Sequence, residues 1–516
     1  MNKEVFQDKR LNRINEYSLS LSNDWNIPVK FCANRQILLE EEGVKELSVL
    51  LQTQRTIEKI LNRKPDFFGK NRMPEIREVV LTPDFHKGKG IPVGTVILSK
   101  DFVIPQATGN DINCGMRLLS TSYTSDQILP HLDDIENRLR YIFFQGGRNL
   151  PMAPEQRQAL LKYGISGLID TCGITKNEGL WRYFDAEREF SNLGHIHGRG
   201  SYPADDIFAL KDYIDNSRGI SHDSVIGTLG GGNHFAEIQY VRKIHDSQTA
   251  YQWGINEGGV VIMIHSGSLG IGQMTGHYFQ KILKDIYPKD IGYPENGIFV
   301  LPVHGELSKY YGRFKTSMYN AANFAFGNRL FLSLMVMNAL DSVLGESDMK
   351  LIYDAPHNLI WEEITGELYE YIHRKGATPA YGYEVMNDSE FAYYGEPVIV
   401  PGSMGAPSYL LRGNGERAFL YSASHGAGRQ LSRGAAMKIS DRNLDEFLNS
   451  FRIVTPVNMK DHQIKKRPDI MKKIRDSIKQ EAPFAYKDIT PVIKTLTESD
   501  VAYPVAEFYP LLTVKS

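Results

Sequence analysis

Six short segments of this 516-residue chain carry side chains suited to metal or phosphorus chemistry. GNDINCGM (109–116) places Asp111 and Cys114 three residues apart, between glycines that let the backbone turn tightly. A thiolate and a carboxylate converging on one point make a metal-ligand pair; the plainer alternative is a buried structural cysteine in a turn. GTLGGGNHFAEI (227–238) sets Asn233, His234 and Glu237 behind three glycines, where the backbone can approach a ligand closely. VVIMIHSGSLG (260–270) ends an apolar run on His265, a strand end from which a side chain can reach a loop-built site. DAPHNLIWEE (354–363) adds His357, which taken singly reads as a core or surface histidine. PGSMGAPSYL (401–410), with Ser403 and Ser408, suits a loop whose N–H and hydroxyl groups face an anion. SASHGAGRQLSR (422–433) holds His425 among small residues, with Arg429 and Arg433 four and eight positions on. If that segment is helical, both guanidinium groups stack on the histidine's face, a setting for phosphoryl or nucleotidyl transfer. No one segment decides anything. The combined inventory favours metal-assisted attack at phosphorus over hydrolysis of peptides or sugars.

These groups lie far apart in sequence, so a large fold must gather them. The composition is 42% hydrophobic, enough for a sizeable core. Helical spacing runs over 44–61, 128–144, 154–168 and 316–345. Residues 76–103 mix β-branched runs with Gly and Pro and read as strands and loops, and GGVVIMIHSG is a short buried strand. The tail 441–476 alternates helix signals with breaks at Pro456 and Pro468. Without regular βαβ alternation, the expected class is α+β, with a polar N-terminal extension over 1–27 and one large domain over 28–516. Net charge is −2, so nucleic-acid binding cannot be argued from total charge; the local basic candidate is 460–479, which serves equally as a solvated helix face. Three widely spaced cysteines give no disulfide framework. Neither a signal peptide nor a membrane span is read, so the expected setting is cytoplasmic.

The ordered set PDFHKGKG, GNDINCGM, GGGNHF, IHSGS, PHN, PGSMG and SHGAGRQLSR resembles the RNA-splicing ligase RtcB family, from about Pro28 to the C-terminus, and PVKFCANRQILLEEEG (28–43) resembles that family's start. The resemblance implies a fold of mixed sheets around a central metal and nucleotide cleft. It implies an activity that joins an RNA 3′-phosphate or 2′,3′-cyclic phosphate to a 5′-hydroxyl, using GTP and two manganese ions. By motif position, Cys114 would bridge the two metals, with Asp111 and His234 on one and His265 and His357 on the other. His425 would carry GMP, Glu237, Ser408 and Lys487 would recognise guanine, and Ser403 with Asn233 would contact the GTP phosphates. Arg429 and Arg433 fit RNA or phosphate, Asp84 and His86 of PDFHKG a supporting or RNA-facing role or a structural loop, and a helper protein is a further possible partner. Ligand softness alone would also permit zinc or iron; manganese comes from the resemblance. Two positions depart from the family pattern. Leu269 stands where SGSRG is usual, removing a phosphate contact, and Asn110 replaces an apolar residue beside Asp111. They suggest a diverged branch, serving RNA repair rather than tRNA splicing. Two other readings stand beside the ligase. A metal-dependent phosphoesterase acting on RNA ends would need the metal ligands without His425 or GTP, and a non-enzymatic RNA-end binder would use the 460–479 segment.

Overall fold

The computed structural model describes residues 8–516, apart from 216–218, 366–367 and 388. It is an α+β fold in which two large sheets meet at the functional residues. The first has seven strands in the order Leu11–Asn15, Ser18–Leu21, Val29–Cys32, Glu75–His86, Val93–Lys100, Leu368–Lys375, Asn358–Thr365. The second has eight: Met349–Pro356, Gly115–Thr124, Gly259–Ser266, Phe235–Ile244, Ala502–Val514, Ser408–Gly413 and Pro397–Val400, with Arg452–Val454 parallel to Ala502–Val514. Thus the stretch expected as an N-terminal extension supplies, from Leu11 onward, the edge strand of the first sheet and its neighbour.

Register explains why distant segments converge. In the second sheet His265 lies opposite both Phe235 and Met116, and Gly115 lies opposite Ser266 and Pro356. Cys114, His234, His265 and His357 therefore stand at the same end of four neighbouring strands. Between Met349–Pro356 and Asn358–Thr365 there is a single residue, His357, so the chain crosses from one sheet to the other at that side chain.

The long helix Ser308–Leu344 packs against strand Gly259–Ser266 and helices Pro154–Thr171 and Leu269–Ile286. It is buried along most of its length, yet carries polar side chains inside, of which Asn328 and Arg329 are spent on backbone groups beside the cluster. Asn328 Nδ2 donates to Thr228 O, Ser266 Oγ and Gly267 O. Arg329 pairs with Asp354 at 2.8 Å, and its Nη1 donates to Asn113 O at 2.7 Å and Ser266 O at 3.0 Å. One buried guanidinium therefore holds the backbone next to Cys114 and next to His265.

The periodic segments form where expected, with breaks set by local chemistry. Residues 44–61 are two helices, Glu41–Leu51 and Thr53–Arg63. Pro130 sits in a 3-10 turn, so the helix over 128–144 starts at Leu132. The helix at 154 runs to Thr171 through a kink at Gly164, and Pro468 opens the helix Pro468–Glu481. Among the described residues no helix is long and apolar enough to cross a membrane.

Arg329 and Asp354 are both fully buried, so removing this cation leaves the core carboxylate with Arg117 alone and frees the Asn113 and Ser266 carbonyls. Arg329→Met should lower unfolding free energy by about 3–5 kcal/mol, read as the midpoint of denaturant unfolding. An unchanged midpoint would show that Arg117, the other guanidinium on Asp354, suffices.

Candidate active site

The cluster is built around the Cys114 thiol. Its Sγ lies 3.3 Å from His234 Nε2 and 3.3 Å from His265 Nε2, and these three donor atoms all fall within 4.8 Å of one another. His234 Nε2 is 2.8 Å from Asp111 Oδ2, and His265 Nε2 is 3.3 Å from His357 Nε2. The far ring nitrogens face backbone carbonyls: His234 Nδ1 meets Leu229 O at 3.0 Å and His265 Nδ1 meets Asn233 O at 3.2 Å. Such partners keep the proton on Nδ1 and aim the Nε2 lone pairs at one point, an arrangement typical of metal-binding histidines. Gly267 is required here, because a Cβ at that position would come within 2.5 Å of Asp111 Oδ1.

Burial sets the charge states. It pushes His265 and His357 well below the ordinary imidazole range, so both rings are neutral and able to donate lone pairs. Burial alone would raise Asp111, but His234 and the Leu269 N–H hold it down to about 2. The Cys114 thiol is driven well above its usual value by burial and then by the Asp111 charge. Neutral imidazoles, a carboxylate and a thiol in a buried cluster fit divalent cations, whose charge would stabilise the thiolate.

His425 follows the short strand Ser422–Ser424, with its ring centroid 4.8 Å from that of His357. Its Nδ1 lies 2.6 Å from Oδ2 of the fully buried Asp84, a short but bent approach that acts as an electrostatic pair more than an aligned hydrogen bond. Asp84 would be raised by burial, yet His425 and the hydroxyl of Thr82 keep it below the usual carboxylate range. With Nδ1 turned to a carboxylate, Nε2 is the ring's available nucleophilic atom. Of the two roles open to Asp84 in the sequence, the geometry gives it that of orienting His425.

A cavity of about 240 Å³ opens on His425 and is lined also by Asn233, Glu237, Ser403, Arg433 and Lys515. Ser408 is buried behind it, accepting from Gln239 Nε2 at 3.1 Å and from the Gly402 N–H. Lys487 faces elsewhere: its Nζ donates to Phe85 O at 2.7 Å and it lines a separate groove. The buried amine of this cavity is Lys515, whose Nζ donates to His234 O at 2.9 Å and which burial lowers to about 8. Sequence reading missed Lys515 because it is one lysine at the end of an apolar strand. The 425–433 segment is a loop rather than a helix, since Gly428 has φ +77° and its backbone lies against Asp84. Consequently Arg429 and Arg433 do not stack on His425. They converge on Glu481, at 3.1 and 3.2 Å, and still line the cavity wall. Leu269 contributes its backbone N–H to Asp111 at 2.8 Å, from a left-handed residue at φ +52°. In the basic 460–479 segment, Lys460, Arg467, Arg475 and Lys479 are paired with carboxylates, whereas Lys465, Lys466, Lys472 and Lys473 have no ion-pair partner among the described residues.

Comparison with known proteins fits this geometry. A family model described as tRNA-splicing ligase RtcB matches residues 70–516, which contain every side chain of the cluster. The chain belongs to the RtcB family. It is 31% identical to the tRNA-splicing ligase RtcB of Nanoarchaeum equitans, across 98% of this chain and 100% of that protein. It is 30% identical to that of Pyrobaculum aerophilum, over 98% and 99% of the two chains. RNA-splicing ligase RtcB homolog 1 of Entamoeba dispar is 30% identical over 86% of this chain and 80% of its own. The first two of these matches extend over nearly the whole chain, beyond the stretch that the family model covers.

Because the Cys114 proton is held tightly, a cation can bind the thiolate only by displacing it. Manganese or zinc affinity should rise about tenfold per pH unit below the thiol pKa, with one proton released. Calorimetric titration in buffers of different ionisation enthalpy measures that proton. Equal proton release from Cys114→Ser would disprove the thiol's part.

Proposed function

We propose that this chain is a GTP- and manganese-dependent RNA ligase that joins 3′-phosphate or 2′,3′-cyclic phosphate ends to 5′-hydroxyl ends through GMP carried on His425. The observation that carries this reading is the Asp84–His425 pair, whose ring stands beside a buried thiol, imidazole and carboxylate cluster. Membership of a family whose relatives are named tRNA-splicing and RNA-splicing ligases supports it.

Asp111, Cys114 and His234 would hold one divalent cation, and Cys114, His265 and His357 a second; when bound, these neutralise phosphate charge that otherwise repels a nucleophile. The His425 Nε2 lone pair forms a bond to the GTP α-phosphorus while the bond to the β-phosphate oxygen breaks and diphosphate leaves. Asp84 offsets the positive charge that develops on the ring. A cyclic end is first opened by water, whose oxygen bonds to phosphorus while the bond to the 2′-oxygen breaks and that oxygen takes a proton; an oxygen of the 3′-phosphate then attacks the GMP phosphorus, the phosphorus–nitrogen bond breaks and the imidazole is restored. The 5′-hydroxyl attacks the 3′-phosphorus, loses its proton and expels GMP. Guanine N–H groups would be accepted by Glu237, with Lys515 alongside in place of Lys487. Ser408 would act only by orienting Gln239, which donates to Glu237 Oε1 at 2.5 Å. Ser403 and Asn233 would face the triphosphate, and Arg429 and Arg433, which share one carboxylate between two cations, would face phosphates.

Protein incubated with α-labelled GTP and manganese should become labelled, His425→Ala should not, and Asp84→Asn should label slower by about two orders of magnitude or more. If the wild-type chain takes up no label while His425→Ala still opens a cyclic phosphate, it is a phosphoesterase without GTP and the ligase reading fails.

Glu237 adds a pH signature. Burial raises its carboxyl to about 7, so the free protein holds it largely protonated at pH 6. A raised carboxyl stabilises the fold below its unfolded value, a contribution lost as pH rises through 7. Guanine recognition needs the ionised form, so GTP affinity should increase between pH 6 and 8. Glu237→Gln should flatten that increase, measured with fluorescent GTP; an unchanged slope would exclude Glu237 as the acceptor.

A further inference from the structure

A second cavity, of about 730 Å³, shares His86, Val93, Arg429 and Arg433 with the one that opens on His425. That volume is in the range of pockets that enclose small organic ligands. Its walls divide by chemistry. The floor is apolar, made of Ile112, Phe279, Leu283 and Phe314, all buried. On one side the Thr275 hydroxyl is 1% exposed and has no hydrogen-bond partner, and Gln106 Oε1 is buried and equally unpartnered. Asn110 and His277 are exposed beside them, with no side-chain hydrogen bond to the protein among the described residues. The rim carries Lys87, Lys89 and Lys375 besides the two shared arginines. Its one carboxylate, Glu40, already accepts from the Lys87 N–H at 2.6 Å.

An unpartnered buried hydroxyl costs free energy unless something outside the protein bonds it. A flat apolar ring with donors and acceptors on its edge, attached to a phosphate, would satisfy the floor, the polar side and the cationic rim together. We infer that this cavity binds the terminal nucleotide of the RNA strand bearing the 3′-phosphate, with its base between the apolar floor and the Asn110, Thr275 and Gln106 edge. This rests on the ligase reading and extends it to selectivity for the base at the joint. Charge selects the strand. The 3′-phosphate end brings a dianion to the wall where Arg429 and Arg433 stand, whereas a 5′-hydroxyl end is neutral. Asn110 also acquires a purpose: the departure beside Asp111 adds hydrogen-bonding capacity to this cavity.

The test measures binding and joining separately. Four short ribo-oligonucleotides that differ only in the 3′-terminal base, each 3′-phosphorylated and fluorescently labelled, are titrated into the wild-type chain, Thr275→Val and Asn110→Val. GMP labelling of each protein is followed in parallel. The expected result is a 3′-base preference in the wild type, reduced by roughly two- to twelvefold in each variant, the equivalent of one hydrogen bond, with GMP labelling kept by Thr275→Val. Equal binding of all four bases by the wild type, or a preference that follows the 5′-terminal base of the other strand in ligation assays, overturns the inference while leaving the ligase intact. Loss of GMP labelling in the wild type with base discrimination retained would instead overturn the ligase reading and keep the cavity's assignment.

Discussion

The structure depends on one buried charge arrangement. Arg329, in the middle of a helix that is otherwise largely apolar, neutralises Asp354 and donates to the carbonyls of Asn113 and Ser266. Asp354 lies on the strand that leads to His357, Asn113 precedes Cys114, and Ser266 follows His265. Three of the segments that carry the cluster are therefore tied to a single guanidinium, whose planar fork can satisfy several acceptors at once. A lysine could supply the charge but not the same directed set of bonds.

Around that anchor, burial does most of the electrostatic tuning. It keeps His265 and His357 neutral and holds the proton on Cys114, so the lone pairs needed for a cation are present and the thiol waits for one. The same low-dielectric interior strengthens the Asp84–His425 pair, since a carboxylate removed from water attracts a ring proton more strongly. Two kinds of chemistry are thereby kept side by side: a donor cluster with converging lone pairs, and an imidazole oriented from behind by its own carboxylate. His357 joins them, because it belongs to the cluster and also lies against His425.

The two positions read from the sequence as unusual both adjoin Asp111, Asn110 through the chain and Leu269 through its N–H. Leu269 donates its backbone N–H to Asp111 and carries an aliphatic side chain. Asn110 faces the larger cavity, away from the thiol.

By itself the sequence placed the chain in its family and marked most of the side chains that the fold gathers. His234, His265 and His425 drew notice through small flanking residues or a strand end, Cys114 and His357 joined them only through the family resemblance, and long helices and buried strands were legible because their apolar spacing is local. What it could not supply was distance and partner. The pairing of Asp84 with His425 links strand Glu75–His86 to the loop after Ser422–Ser424, and no spacing rule reaches from one to the other. Lys515 could not be told from any terminal lysine until the last strand paired beside Phe235–Ile244 and buried it. Arg429 and Arg433 would stack on His425 only in a helix, and a loop with left-handed Gly428 instead sends both guanidinium groups to Glu481. Side-chain type and local period are written in the chain; which neutralised charge faces which lone pair follows only from strand register and from the burial that strand packing creates.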